Sequence, residues 1–146
     1  MNDVSISAGR LFGLAAGIGA FFTLQAVTMA MAAGGPVDWQ GLVLQELIYW
    51  LVWAAVAPLL VAGARRWPIE ERPRGRAIAI HVALSVLAAP IQTAIAFALH
   101  RGALSLLGHP GGGADLLRIL RSPALAWGTF MGVFFYWLVL AVTATV

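Results

Sequence analysis

The chain has 146 residues, of which 61% are hydrophobic and 10% charged, with nine arginines, no lysine, no cysteine and a net charge of +3. A mean hydropathy of +0.88 lies far from the balance of water-soluble domains, where roughly 25% of residues are charged, so the sequence is that of a membrane protein. The lack of cysteine excludes disulfides, thiolate metal sites and dithiol redox chemistry. The isoelectric point near 10.6 reflects a few arginines, which membrane topology and anionic lipid headgroups account for without nucleic acid.

Four apolar blocks follow one another, over residues 11–33, 42–64, 77–99 and 124–146. Each holds about 23 residues and spans about 34 Å as a helix, enough for a hydrocarbon core of roughly 30 Å. None shows strand periodicity, so the expected fold is all-α, a single domain built as an antiparallel four-helix membrane bundle. The first block exceeds the 7–15 residues of a signal-peptide core and is preceded by only one arginine, Arg10, so it reads as a retained span. Gly9, Gly13 and Gly17 place two overlapping G-x-x-x-G steps at its start, which permits close approach of a helix from the same chain or from a second copy, and a homodimer is expected.

The second block carries Glu46, Tyr49, Trp50 and Trp53 toward its start and Pro58 toward its end. Pro58 frees the carbonyl near Ala54 and either bends the helix or is tolerated by its neighbours. The loop after it, 65–76, concentrates five arginines and two glutamates. Short arginine-rich loops stay on the cytoplasmic side, which places both termini inside and the 34–41 and 100–123 loops outside, with Arg101, Arg118 and Arg121. In the 100–123 loop, three glycines after Pro110 break any helix, and 115–121 alternates leucine and isoleucine with Asp115, Arg118 and Arg121 as a short interfacial helix or a plain loop would. The fourth block runs to the last residue, as if its helix were cut.

The second helix and its exit resemble the N-terminal membrane region of bacterial LytS-class sensor histidine kinases. The resemblance rests on Trp50, Trp53, Ala54 and Pro58 as a W-x-x-W-A-x-x-x-P pattern, on Arg65, Arg66 and Pro68 as an R-R-x-P turn, on His81 opening the third span, and on Tyr136-Trp137 in the fourth. It covers residues 40–100 and implies a sensory membrane domain in a bacterial cytoplasmic (inner) membrane, followed beyond residue 146 by a cytoplasmic kinase domain. The phosphoacceptor motif and nucleotide-binding boxes of those kinases do not occur in this chain. Metalloprotease, hydrolase and phosphate-loop motifs are absent as well. No catalytic residue and no cofactor is therefore expected here.

Several polar residues fall where lipid should be. Gln25 and Gln92 lie near the centres of the first and third spans, and each amide is costly unless paired, so both are expected to face the interior, bonded to each other or to backbone freed by Pro90. Tyr136 needs a hydroxyl partner. Glu46 either snorkels outward within an aromatic belt or faces the interior, pairing with His100, Arg101 or Arg121 in a cavity walled by Tyr49, Trp50 and Trp53. His81 and His100, 19 residues apart on one helix, are separated by about 28 Å and cannot share a metal. His100, His109 and Asp115 are an irregular set, and no metal site is expected. The alternative to a sensory domain is a small four-helix transporter or ligand-binding membrane protein that uses Glu46 and the central glutamines.

Overall fold

The structure is a computed structural model and describes residues 8–34, 36–69, 73–109, 117 and 121–144. Four helices account for nearly all of them: α1 Ala8–Ala32, α2 Trp39–Arg66, α3 Arg74–Leu106 and α4 Pro123–Ala144. All four are long and apolar enough to cross a membrane, and no strand occurs among the described residues.

Local chemistry sets where each helix starts and stops. Gly34, with φ of 72°, closes α1 as its N–H reaches the Met31 carbonyl at 3.0 Å. Asp38 caps α2: its Oδ1 accepts from the Gly41 N–H at 2.9 Å, so the helix begins three residues before the apolar block does. Arg65 and Arg66 occupy the last turn of α2, where the carbonyl ends attract cations. Ser122 caps α4 through Oγ to the Ala124 N–H at 3.2 Å, with Pro123 at the first helical position where its missing donor costs nothing.

The largest departure from the expected boundaries is at the end of α3. His100 to Leu106 continue the helix into what reads as loop. The helix runs through the isolated Gly102, which a helix tolerates at some cost, and the stop comes only at Gly108, with φ of 68°. There the His109 N–H bonds back to the Leu104 carbonyl at 2.9 Å and the Gly108 N–H to Ser105 at 3.1 Å, a Schellman closure. Of the short interfacial helix expected over 115–121, Leu117 is helical and the Arg121 N–H bonds to its carbonyl at 3.1 Å, while Asp115 and Arg118 lie outside the described residues. Pro58 does not stop α2, which runs through it to Arg66.

The chain divides into two compact units. One comprises Met1–Ala55 and Leu99–Gly113, and so contains α1, the first half of α2 and the last turns of α3; the other comprises Val56–Ala98 and Ala114–Val146, and so contains the rest of α2 and α3 and all of α4. In the first unit Gly19 is where α1 meets α2, since a Cβ there would lie 3.4 Å from the Glu46 carbonyl and from Leu47. Phe22, one turn on, stacks on Trp50 at 5.2 Å. In the second unit Gly128 of α4 sits against Thr93 of α3, with a Cβ at 128 falling 2.6 Å from Thr93 Cγ2. Within the chain Gly13 and Gly17 make no close approach, since a Cβ at either meets nothing within 4 Å. Gly9 lies outside the residues whose surroundings are described.

Candidate functional site

Buried polar side chains mark the places a membrane-embedded domain invests in, because each must be paired or be costly. In the second unit the centre of such pairing is His81, which is fully buried. Its Nε2 lies 2.8 Å from the Trp67 carbonyl. A carbonyl only accepts, so this nitrogen carries the hydrogen, and in the neutral ring Nδ1 is left to accept the Tyr136 hydroxyl at 2.8 Å. Both ring nitrogens and the Tyr136 hydroxyl are thereby satisfied. Trp67 sits just past the end of α2, and Pro68 after it has no N–H to continue the helix, so its carbonyl is open to a side-chain donor. Trp137 adds an edge-on ring contact to His81 at 6.5 Å. Trp67, His81, Tyr136 and Trp137 thus come together, and the imidazole staples the turn that follows Arg65 and Arg66 to α3 and α4.

Farther along α3, Ser85, Gln92 and Thr93 are buried. The Ser85 hydroxyl donates to the Val82 carbonyl at 2.9 Å and the Thr93 hydroxyl to Gln92 Oε1 at 3.2 Å. Gln92 Nε2 has no hydrogen-bond partner among the described residues. Gln25, by contrast, is exposed on α1. The expectation that both amides face the interior therefore fails for Gln25, because α1 turns the opposite face, with Ala15, Gly19 and Val27, toward its neighbours.

In the first unit the polar groups gather around the first turn of α2. The Gly41 N–H goes to Asp38 Oδ1, and the Gly41 carbonyl accepts from His100 Nε2 at 3.1 Å. Asp38 Oδ2 lies 3.3 Å from His109 Nε2. The Gly41 N–H that Asp38 accepts, aided by His109, holds its carboxyl below the usual carboxylate range. His100 is buried, and its Nδ1 has no partner among the described residues. Sequence reasoning did not pick out Asp38; the signal that could have found it is an aspartate just ahead of an apolar helical run, and nothing in the sequence links it to His109.

Glu46 is half-buried, and its interactions are with Trp50 and Gln45 on its own helix. It does not take the arginine or histidine partner that the interior alternative requires among the described residues, and His100 is engaged by Gly41 instead. Trp50 and Trp53 are buried, at 5% and 7% exposure, so they do not form an outward belt. Tyr49 is half-buried and packs its ring edge-on to Trp50 at 5.6 Å. Arg101 is half-buried and Arg121 exposed, the latter beside an open groove with Ser122, Thr129 and Phe130. No group of three metal-ligating side chains comes together among the described residues. No protein-family model, curated protein or solved structure matches the chain.

Proposed function

We propose that this chain is the membrane-embedded input domain of a signal-transduction histidine kinase, without its catalytic part. In this reading it is an antiparallel four-helix bundle in a bacterial inner membrane, with both termini cytoplasmic. The observation that carries the reading is the His81 staple, Trp67 carbonyl to imidazole to Tyr136 hydroxyl. It joins His81 and Tyr136, two of the residues through which the chain resembles the kinase membrane regions, and it ties the arginine-rich turn to α4, the helix from which a kinase would continue. A rearrangement of either element has to break or remake two hydrogen bonds to one ring, which makes the staple a place where a signal is felt.

Two measurements test this reading. Cysteines introduced singly at the exposed positions Pro36 and Gly75 of this cysteine-free chain should be labelled from outside intact cells at Pro36 only. The coding sequence beyond Val146 should continue into a kinase, whose autophosphorylation changes in His81→Phe and Tyr136→Phe. Labelling of Gly75 from outside, or a kinase indifferent to both substitutions, would sink it. One observation favours the alternative of a small transporter or solute-binding protein: the buried, unpartnered Nδ1 of His100 could accept from a polar solute. Solute flux into vesicles lost in His100→Phe would select that alternative.

A further inference from the structure

Gln25 presents a problem that the described residues do not solve. It lies seven residues before the end of α1, about 10 Å along the axis, deeper than a glutamine side chain reaches back to the interface. It is exposed, and no hydrogen bond engages its side chain among the described residues. In hydrocarbon such an amide, left unpaired, costs roughly 2–7 kcal/mol, and acyl chains offer neither donor nor acceptor.

Its surroundings on α1 have a defined spacing. Leu14, Ile18, Phe21, Gln25, Thr28 and Ala32 recur at intervals of four, three, four, three and four, the seam of a left-handed helix pair. Ile18 is half-exposed and the other five are exposed. Thr28 is already satisfied, its hydroxyl donating to the Leu24 carbonyl at 2.8 Å. Gln25 is therefore the one unmatched polar group of an otherwise apolar seam. A carboxamide both donates and accepts, so it is complementary to a copy of itself. Two chains inserted with the same orientation are related by a two-fold axis along the membrane normal, which pairs α1 with α1 in parallel and brings equal depths together.

We propose that α1 is the surface through which two copies of this chain associate in the bilayer, with the two Gln25 carboxamides hydrogen-bonded to each other at the centre of the Leu14–Ile18–Phe21–Gln25–Thr28 seam. The proposal needs only that α1 spans the membrane, and it stands or falls apart from any kinase function. Gly17 borders the seam and leaves room beside it, whereas Gly13 lies off it.

The purified chain reconstituted in phosphatidylcholine vesicles tests this by two routes. In a single-cysteine scan of residues 14–32, oxidative crosslinking should peak at Leu14, Ile18, Phe21 and Thr28 and fall at Ala15, Gly19 and Val27. In a dilution series read by energy transfer between labelled copies, Gln25→Leu should lower the association constant about tenfold, the scale of an interhelical amide bond in lipid. Gln25→Asn, still self-complementary, should recover most of it, and Met29→Leu should leave it unchanged. A chain monomeric at every dilution, crosslinks peaking elsewhere on α1, or a Gln25→Leu variant that associates like the parent would each overturn the proposal. The scan leaves Gln25 intact, so it decides the matter even if the leucine variant misfolds.

Discussion

The two units solve the same problem differently, and α3 supplies the histidine in both. His81 and His100 each donate Nε2–H to a backbone carbonyl, Trp67 in one unit and Gly41 in the other. The other nitrogen separates them: Nδ1 of His81 accepts from Tyr136, while Nδ1 of His100 is buried without a partner among the described residues. A ring satisfied at both ends holds its elements in one register, because any displacement orphans two groups at once. A ring satisfied at one end can be displaced at the cost of a single bond and still has a lone pair to offer. The contrast also sets which substitution should be costly.

The largest expected effect is at His81. Replacing it with phenylalanine leaves the Trp67 carbonyl and the Tyr136 hydroxyl unpaired, which should destabilise the protein by about 1–3 kcal/mol. His100→Phe removes one bond and should cost about 1 kcal/mol or less. Reversible unfolding of both variants in bicelles measures the difference, and equal losses would remove the distinction between the two rings.

Packing gives a second contrast of similar size. Gly128→Ala drives a methyl into Thr93 Cγ2 and should cost about 1–3 kcal/mol, with much of the loss recovered in a Thr93→Ser background that lacks that methyl. Gly13→Ala meets nothing and should leave stability within about 0.5 kcal/mol. If both alanine variants unfold alike, Gly128 is not the close contact of the second unit.

Tyr136→Phe isolates one half of the His81 staple. Hydrogen bonds of this kind in membrane proteins average about 0.6 kcal/mol with a maximum near 1.7, so a loss in that range, absent in a His81→Phe background, would assign the coupling to this pair. The smallest effect is at Asp38. Its carboxyl titrates below the usual range because the folded chain donates the Gly41 N–H to the charged form. The stabilisation is therefore complete above the unfolded carboxylate pKa, about 3.9, and is lost as pH falls through the lower folded value. Thermal melts of Asp38→Asn should be flatter on the acid side than those of the parent, and identical acid limbs would mean that the cap does not contribute.

Length, composition and punctuation were enough to find the four helices, since apolar runs of about 23 residues in lipid have one way to satisfy their backbones. They did less well at the ends. Asp38 and Ser122 are polar residues lying outside the apolar blocks, and they start helices there. The stretch from His100 to Leu106 is helical although it holds Gly102, because a single glycine inside a helix is tolerated and the terminating Gly108 comes only later. The facing of the helices was the least legible. Gln25 and Gln92 look alike in the sequence, each near the middle of a span, and one is exposed while the other is buried. Gly13 and Gly17 carry the recognisable small-residue step, yet Gly19 makes the contact.

The sequence by itself determined that this chain has four stretches long and apolar enough to cross a membrane as helices, that its arginines gather at one turn, and that its buried polar groups would need partners. Only the tertiary structure decided which partners those are: Tyr136 and the Trp67 carbonyl for His81, the Gly41 carbonyl for His100, Thr93 for Gln92. The reason is physical. A helix that is apolar all round has no stripe to say which side faces its neighbours, so helix rotation is fixed by a few close contacts and hydrogen bonds between residues as far apart in the chain as His81 and Tyr136.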